Sequence, residues 1–402
     1  NMKKILFYLT LVTFNITSAN DIQHVISEVS KVKPNPNETS ISRKQYDQKI
    51  QSVAESLAKS IQQYANIHEF ILDATGSLYP QFTIGPVGGD LFQGLMGSEV
   101  SIVHSPRGVP IGILKVYPHD FRQFAEEVWA FTHLNHLKCD TLRPPHLYGI
   151  GASTVKGKKV LMTFQEYATG ETLDDMVKTY MKNREGFTEL CQAYYLMGKA
   201  LAELHQSKVG AAAPMHPIFK DSAQYYFTNG IKYLKSHPEY QVDIQKFSKK
   251  YQTLFTKIRK TPHHYRYSHF DVHGGNYKVN LANLQVWILD LEPAAYSIAS
   301  QGEPIGVSAL DYVQAIENLR MYKIWGLEKK DYKTIRNSFK KGYQSVKRKI
   351  PERDERDFYA LLDALIYLDF YYSRIDSFSD QNKKLLKEVV DDRMIRVRKL
   401  SH

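Results

Sequence analysis

The chain has 402 residues, 43% hydrophobic and 24% charged, a balance that suits a globular protein long enough for two lobes. Only two cysteines, Cys139 and Cys191, are present, which excludes a disulfide framework and a thiolate zinc site. The formal net charge of +11 favours an anionic partner such as a nucleotide, a phosphorylated metabolite, an acidic lipid surface or a nucleic acid, or it serves solubility alone; no basic stretch carries enough interleaved aromatics to specify nucleic acid.

Lys3 and Lys4 precede an apolar run from Ile5 to Phe14 and then the small residues Ser18 and Ala19. This is the layout of a secretory signal, too short to span a bilayer, and it implies export; a structural N-terminal element in a cytoplasmic protein is the alternative. The Pro/Asn-rich KVKPNPNETS (31–40) reads as a linker, so residues 1–40 are expected to be a signal segment and spacer that the folded core does not need. Tyr46, Ile50, Val53, Leu57, Ile61 and Tyr64 step by three or four residues and predict an amphipathic helix over 42–68, N-capped by Ser40 or Ser42, within a helical extension of 41–78. From Gln81 the pattern turns to short β-runs: QFTIGPV, then SEVSIVHS and VPIGILKVYP joined by the turn PRG. A helix over 120–137 follows, and then the strands HLYGIGAST and KKVLMTFQEYA. Residues 79–168 therefore form a small β-rich lobe with one helix. From 169 to 402 helices dominate, YYLMGKALAELHQ being the most regular, interrupted by a strand, loop and strand within 267–292. The class is α+β.

Phosphoryl transfer needs held phosphates, metal ions to offset charge, and a carboxylate for the acceptor hydroxyl. YSHFDVHGGNYKVN (267–280) contains H-x-D-x-x-x-x-N, with Asp271 placed to accept a hydroxyl proton and the Asn276 carbonyl oxygen able to bind Mg²⁺. His269 suits a supporting role through hydrogen bonds to the loop backbone, and Gly274 and Gly275 permit a sharp turn. In VWILDLE a β-run delivers Asp290 as a second oxygen ligand. A transition-metal site on His269 and His273 competes with this reading but leaves Asn276 and Asp290 unexplained. At the other end, glycines 85, 88, 89, 94 and 97 let backbone N–H groups approach phosphates, Gly88 and Gly89 most centrally. Lys115 interrupts the apolar strand GILKVY, either as a snorkelling edge lysine or as a ligand of the α- and β-phosphates. Its partner is then Glu126 or Glu127 of the next helix, with Glu127 favoured.

Together SHFDVHGGN, ILDLE, GILKVY and LMGKALAELHQS resemble the aminoglycoside phosphotransferase and choline kinase group of the protein-kinase-like superfamily, over about residues 80–315. In that group a His follows the catalytic Asp by two residues and a Gly often precedes the Asn, as His273 and Gly275 do; a helix ends in Leu-His, as at Leu204 and His205. GEPIGVSALDY (302–312) is a looser match to the group's Gly-Asp-Pro and Asp-Leu segment. The resemblance implies a protein-kinase-like bilobal fold, ATP and Mg²⁺ as cofactors, and a small-molecule hydroxyl as acceptor: an amino-alcohol, sugar or aminoglycoside-like compound. It implies Asp271 as base with His273 beside it, Asn276 and Asp290 as metal ligands, Lys115 with Glu127 as the phosphate-positioning pair, and the backbone from Glu166 to Ala168 as the adenine contact. An exported effector kinase of protein or lipid substrates, meeting a host partner, and a catalytically inactive binding module are the alternatives. The sequence departs from the group at Phe270, where Gly is usual, and residues 1–70 and 316–402 lie outside the match.

Overall fold

The short β-runs of the first half pair into one antiparallel sheet in a computed structural model, which describes residues 16–86, 98–118, 120–347 and 349–401. Two compact units divide the chain. The first holds the described residues up to Lys33, Tyr46–His136 and Pro144–Ala168; the second holds Pro34–Gln45, Leu137–Arg143 and Thr169 onward.

In the first unit the sheet order is Thr83–Pro86, Glu99–His104, Pro110–Tyr117, Lys158–Gln165, Leu147–Val155. One face buries Val103, Leu114, Val116, Val160, Met162 and Phe164 against Tyr64, Phe70 and Ile71. The helix Phe121–Leu134 starts where the Asp120 side chain accepts the Arg122 N–H, and it buries Phe124, Val128, Phe131 and Leu134, the face their spacing predicts.

The helix predicted over 42–68 runs only from Arg43 to Ser60. Ser42 and Gln45 cap its start reciprocally, each side chain bonding the other's N–H at 3.2 Å. It stops because the next backbone groups pair with a strand edge instead: Tyr64 N–H donates to Ala152 O at 2.8 Å and Ala152 N–H to Gln62 O at 2.9 Å. Asn66 then caps a second helix, Ile67–Ala74.

Neither of the expected boundaries at residues 40 and 78 separates the two units. Residues Ile16–Ser30 form a helix packed on Phe121–Leu134 and Leu147–Val155, and its Val25 and Val29 are fully buried. The Asp21 carboxylate accepts Gln62 N–H at 2.9 Å, and His24 Nε2 lies 2.9 Å from Ser60 Oγ. Lys33 is buried, its Nζ over the rings of Tyr46 and Trp129. The linker is strapped down too: within the second unit Pro34 O accepts Ser300 N–H, and His216 Nε2 donates to Asn35 O. The apolar run 5–14 lies outside the described residues.

The second unit is mostly helical. Helices Phe187–Ser207 and Lys329–Val346 pack so closely that a Cβ on Gly342 would overlap the Tyr195 carbonyl. A small sheet orders Leu142–Arg143, Gln285–Ile288, Tyr277–Asn280 and Glu171–Thr172, and its hairpin register pairs Tyr277 with Ile288. That register carries the chain straight into Asp290. Helices Ser308–Met321, Arg353–Arg374 and Asp380–Ser401 follow. Among the described residues no helix is long and apolar enough to cross a membrane.

Deleting residues 1–38 exposes the faces that Val25 and Val29 cover. At about 1.5–3 kcal/mol for each buried valine, the truncated protein should melt several degrees lower or aggregate, as should Val25→Asp. A truncation that keeps the full-length melting temperature in calorimetry contradicts the packed helix.

Candidate active site

The strand His263–Arg266 ends just before the polar loop because the following N–H groups turn to side chains. Ser268 N–H donates to Ser297 Oγ at 2.9 Å; His269 N–H and Phe270 N–H donate to Asp311 Oδ2 and Oδ1 at 2.7 and 2.8 Å. One fully buried carboxylate thus holds two successive amides. His205 Nε2 donates to Asp311 Oδ2 at 3.0 Å, and Tyr343 OH donates to His205 Nδ1 at 2.8 Å. Burial outweighs Asp311 and holds the His205 imidazole below its usual range, so the ring is neutral with its proton on Nε2. Nearly one turn beyond Asp311, Gln314 accepts Val272 N–H at 3.3 Å and donates to Phe270 O at 3.2 Å.

His269 is fully buried. Its Nε2–H is shared by the carbonyls of Leu289 and Asp290, 3.0 Å away each, and its Nδ1 accepts Tyr277 OH at 3.2 Å. The ring therefore joins the loop to the end of the strand that presents Asp290. With both nitrogens engaged, His269 is no transition-metal ligand, and the competing metal reading falls. Leu289 N–H closes the same junction onto Asn276 O at 2.8 Å. Phe270 and Asp290 both adopt left-handed backbone, at φ +64° and +52°. Such a conformation costs a residue with a Cβ about 1–2 kcal/mol; glycine, usual at the first position in the group this sequence resembles, escapes it. Phe270 is held by its ring, 5.1 Å from that of Phe219, and by the Asp311 bond.

Asn276 Nδ2 donates to Asp271 O at 3.1 Å and to Asp271 Oδ2 at 3.0 Å. This orients the amide so that its Oδ1 accepts no hydrogen bond among the described residues, a ready oxygen ligand. His273 Nδ1 lies 3.1 Å from the Gly275 nitrogen and accepts its N–H only while the ring is neutral; Nε2, 3.5 Å from Asp271 Oδ2, faces the carboxylate. Burial lowers the His273 imidazole, but the carboxylates of Asp271, Asp174 and Asp290 outweigh it and raise the group to about 9. Burial likewise pushes the Asp271 carboxyl up, and His273, His269 and Asn276 overcome it, holding the acid below its usual range.

The glycines of the loop act differently from the expected sharp turn. Neither Gly274 nor Gly275 takes a positive φ. A Cβ on Gly274 would overlap the Asp174 carboxylate, so the glycine is there for close approach. Asp174, which also accepts Tyr322 OH, is an acidic neighbour of His273 that motif spacing did not reveal.

In the first unit Lys115 lies on the middle strand of five, opposite Val100 and Thr163, and is 8% exposed, so it is no edge lysine. Its Nζ donates to Glu127 Oε1 at 2.7 Å, and Gln165 Nε2 reaches the same oxygen at 3.4 Å. Glu126 is engaged elsewhere, by Tyr46 OH and Arg122 Nη1, each at 2.9 Å. Glu166 bonds His146 through its N–H and through Oε2, and Ala168 is buried at the last residue of the unit. Gly88 and Gly89 lie outside the described residues. Of the residues singled out in the sequence, Asp271, His269, His273, Asn276 and Asp290 come together in the second unit, and Lys115 joins Glu127 in the first. Asp311, Gln314 and Asp174 complete the loop and were not singled out.

No family model matches the sequence, and no curated protein does. Solved structures similar to this chain include a glucosamine kinase at 11% identity and a TM-score of 0.46, covering 81% of this chain and 82% of that one. A spectinomycin phosphotransferase in complex with ADP and spectinomycin is 13% identical with a TM-score of 0.44, over 78% and 92% of the two chains. A macrolide 2'-phosphotransferase type I is 12% identical with a TM-score of 0.41, over 79% and 94%.

Proposed function

We propose that the chain is an ATP- and Mg²⁺-dependent phosphotransferase acting on a hydroxyl of a small molecule: an amino-alcohol, a sugar or an aminoglycoside-like compound. The observation that supports it best is the Asp271 and Asn276 pair, in which one hydrogen-bonded turn presents an ionised carboxylate and a bare amide oxygen. Asn276 Oδ1 and the Asp290 carboxylate are the hard oxygen donors that Mg²⁺ takes, and they would hold it. When bound, the ion would offset negative charge on the phosphate oxygens.

Asp271 works through its other oxygen. Oδ2 is taken by Asn276, while Oδ1 has no hydrogen bond among the described residues and can accept the proton of the acceptor hydroxyl as that oxygen attacks phosphorus. His273 stabilises the carboxylate and fixes its direction. In the first unit Lys115 would bind phosphate oxygens, with Glu127 fixing the ammonium. An isolated buried pair costs several kcal/mol of desolvation per ion, so its presence in the sheet favours a binding role over a stabilising one.

The test is transfer of phosphate from ATP to pooled amino-alcohols, sugars and aminoglycosides, with and without Mg²⁺. Asp271→Ala should lose about 10²–10⁴-fold in rate with nucleotide affinity nearly unchanged, and Asp290→Asn should weaken Mg·ATP binding in calorimetry. Near wild-type transfer by Asp271→Ala would sink the assignment. The pH dependence follows from the same contacts. The acid limb of kcat/KM should lie below the usual carboxylate range, because Asp271 is depressed.

His273, raised above its ordinary value, adds stability below about 6.5 and loses it as the pH rises through about 9. In Asp271→Asn its titration, followed by NMR, should move well down from about 9. An unmoved value would mean that Asp271 is not its main partner.

A further inference from the structure

Residues 316–402 matched nothing in the sequence, yet they reach the catalytic loop through a buried chain of hydrogen bonds. Asn318 follows Asp311 and Gln314 along one face of the helix Ser308–Met321, and its Nδ2 donates to Val272 O at 2.8 Å. Val272 is the residue between Asp271 and His273. With Gln314 on its N–H and Asn318 on its carbonyl, both backbone groups of Val272 are fixed by side chains of that helix.

The orientation of the Asn318 amide is itself fixed. Its Oδ1 accepts Arg393 Nη2 at 2.8 Å and Tyr367 OH at 3.0 Å, so a flipped amide would set its NH2 against the guanidinium and its oxygen against the Val272 carbonyl. Arg393 comes from the helix Asp380–Ser401 and is fully buried. It donates through Nη1 to Glu317 O at 2.8 Å, places Nε 2.9 Å from Asp363 Oδ2, and lies over the Tyr367 ring at 4.9 Å. A guanidinium with a planar set of donors can hold a backbone carbonyl, an amide and a carboxylate together; lysine could not. Burying an arginine and an aspartate is a poor way to gain stability alone. The network has a different use.

We infer that Asn318, locked in place by Arg393 of the C-terminal helix, positions Val272 and through it the Asp271 and His273 side chains on either side. The inference rests on the phosphotransferase reading above for its catalytic consequence, though the positioning can be measured without it. Asn318 and Arg393 touch neither substrate nor metal in this account. They act through one backbone carbonyl, so their loss should misplace the base while leaving nucleotide binding alone.

Two variants separate positioning from mere folding. Asn318→Ala removes the bond to Val272 and leaves Arg393 its other partners. Arg393→Met combined with Asp363→Asn removes both buried charges together, so neither is left unpaired. Each should lower kcat by about tenfold or more with KM for ATP within about twofold, and each should speed hydrogen exchange of the Val272 amide by about tenfold at an unchanged circular dichroism spectrum. A kcat and a Val272 exchange rate equal to wild type in folded Asn318→Ala would overturn the inference. Should wild type transfer phosphate to none of the acceptors, the proposed function fails; faster Val272 exchange in Asn318→Ala would still support the positioning role, and unchanged exchange would overturn it.

Discussion

Asp311 holds the backbone on which every proposed chemical group of the second unit depends. Its two oxygens take the N–H groups of His269 and Phe270, and a neutral His205 supplies a third donor. Hydrogen bonds to a charged group are worth about 1.5–3 kcal/mol each, enough to offset the left-handed backbone at Phe270. Once Phe270 is turned that way, Asp271 leaves the strand line and meets Asn276 and His273. His269, pinned by its own N–H, then reaches across to the carbonyls of Leu289 and Asp290. The site is therefore built from the helix Ser308–Met321 outward, although none of that helix's residues carries the chemistry.

The first unit solves a different problem. Its sheet must keep one ammonium among apolar neighbours, and Glu127 at 2.7 Å makes that tolerable. The helix bearing Glu127 is in turn held through Glu126, which accepts Tyr46 OH from another helix while Arg122, one turn earlier on its own helix, bonds its second oxygen. Two adjacent glutamates thus divide the work, one facing the lysine and one anchoring the helix. Packing by the helix Ile16–Ser30 on the same element extends that support to the N-terminal part of the described chain.

Much of this was legible in the sequence, for physical reasons that can be named. Short β-runs separated by turn residues marked the five strands, and Phe124, Val128, Phe131 and Leu134 marked the buried helix face. The aspartate and asparagine were visible because their chemistry demands a spacing. Other features depend on partners remote in the chain. The helix ending at Ser60 yields to a strand edge near Ala152, which no local pattern contains. Ile22, Val25, Ile26 and Val29 stand at i, i+3, i+4 and i+7, the spacing of a buried helix face, but the signal-like run before them drew the whole stretch into a dispensable segment. Gly274 looked like a turn former, yet what it accommodates is the Asp174 carboxylate, a hundred positions away. Asp311, Gln314 and Asn318 did carry a signal: polar residues at i, i+3 and i+7 along one face of a helix, all buried. Read for apolar periodicity, such a stripe looks like a solvated face; only the loop it grips gives it meaning.

The most direct test of this account is amide hydrogen exchange of His269 and Phe270 in Asp311→Asn. The substitution keeps the shape, removes the charge and turns one of the two accepting oxygens into an NH2 donor that faces a backbone N–H. The account predicts exchange at both positions faster by about tenfold or more, with the rest of the second unit still protected and the proposed phosphate transfer falling by about a hundredfold. Unchanged protection at His269 and Phe270, in a variant that transfers phosphate like wild type, would contradict it.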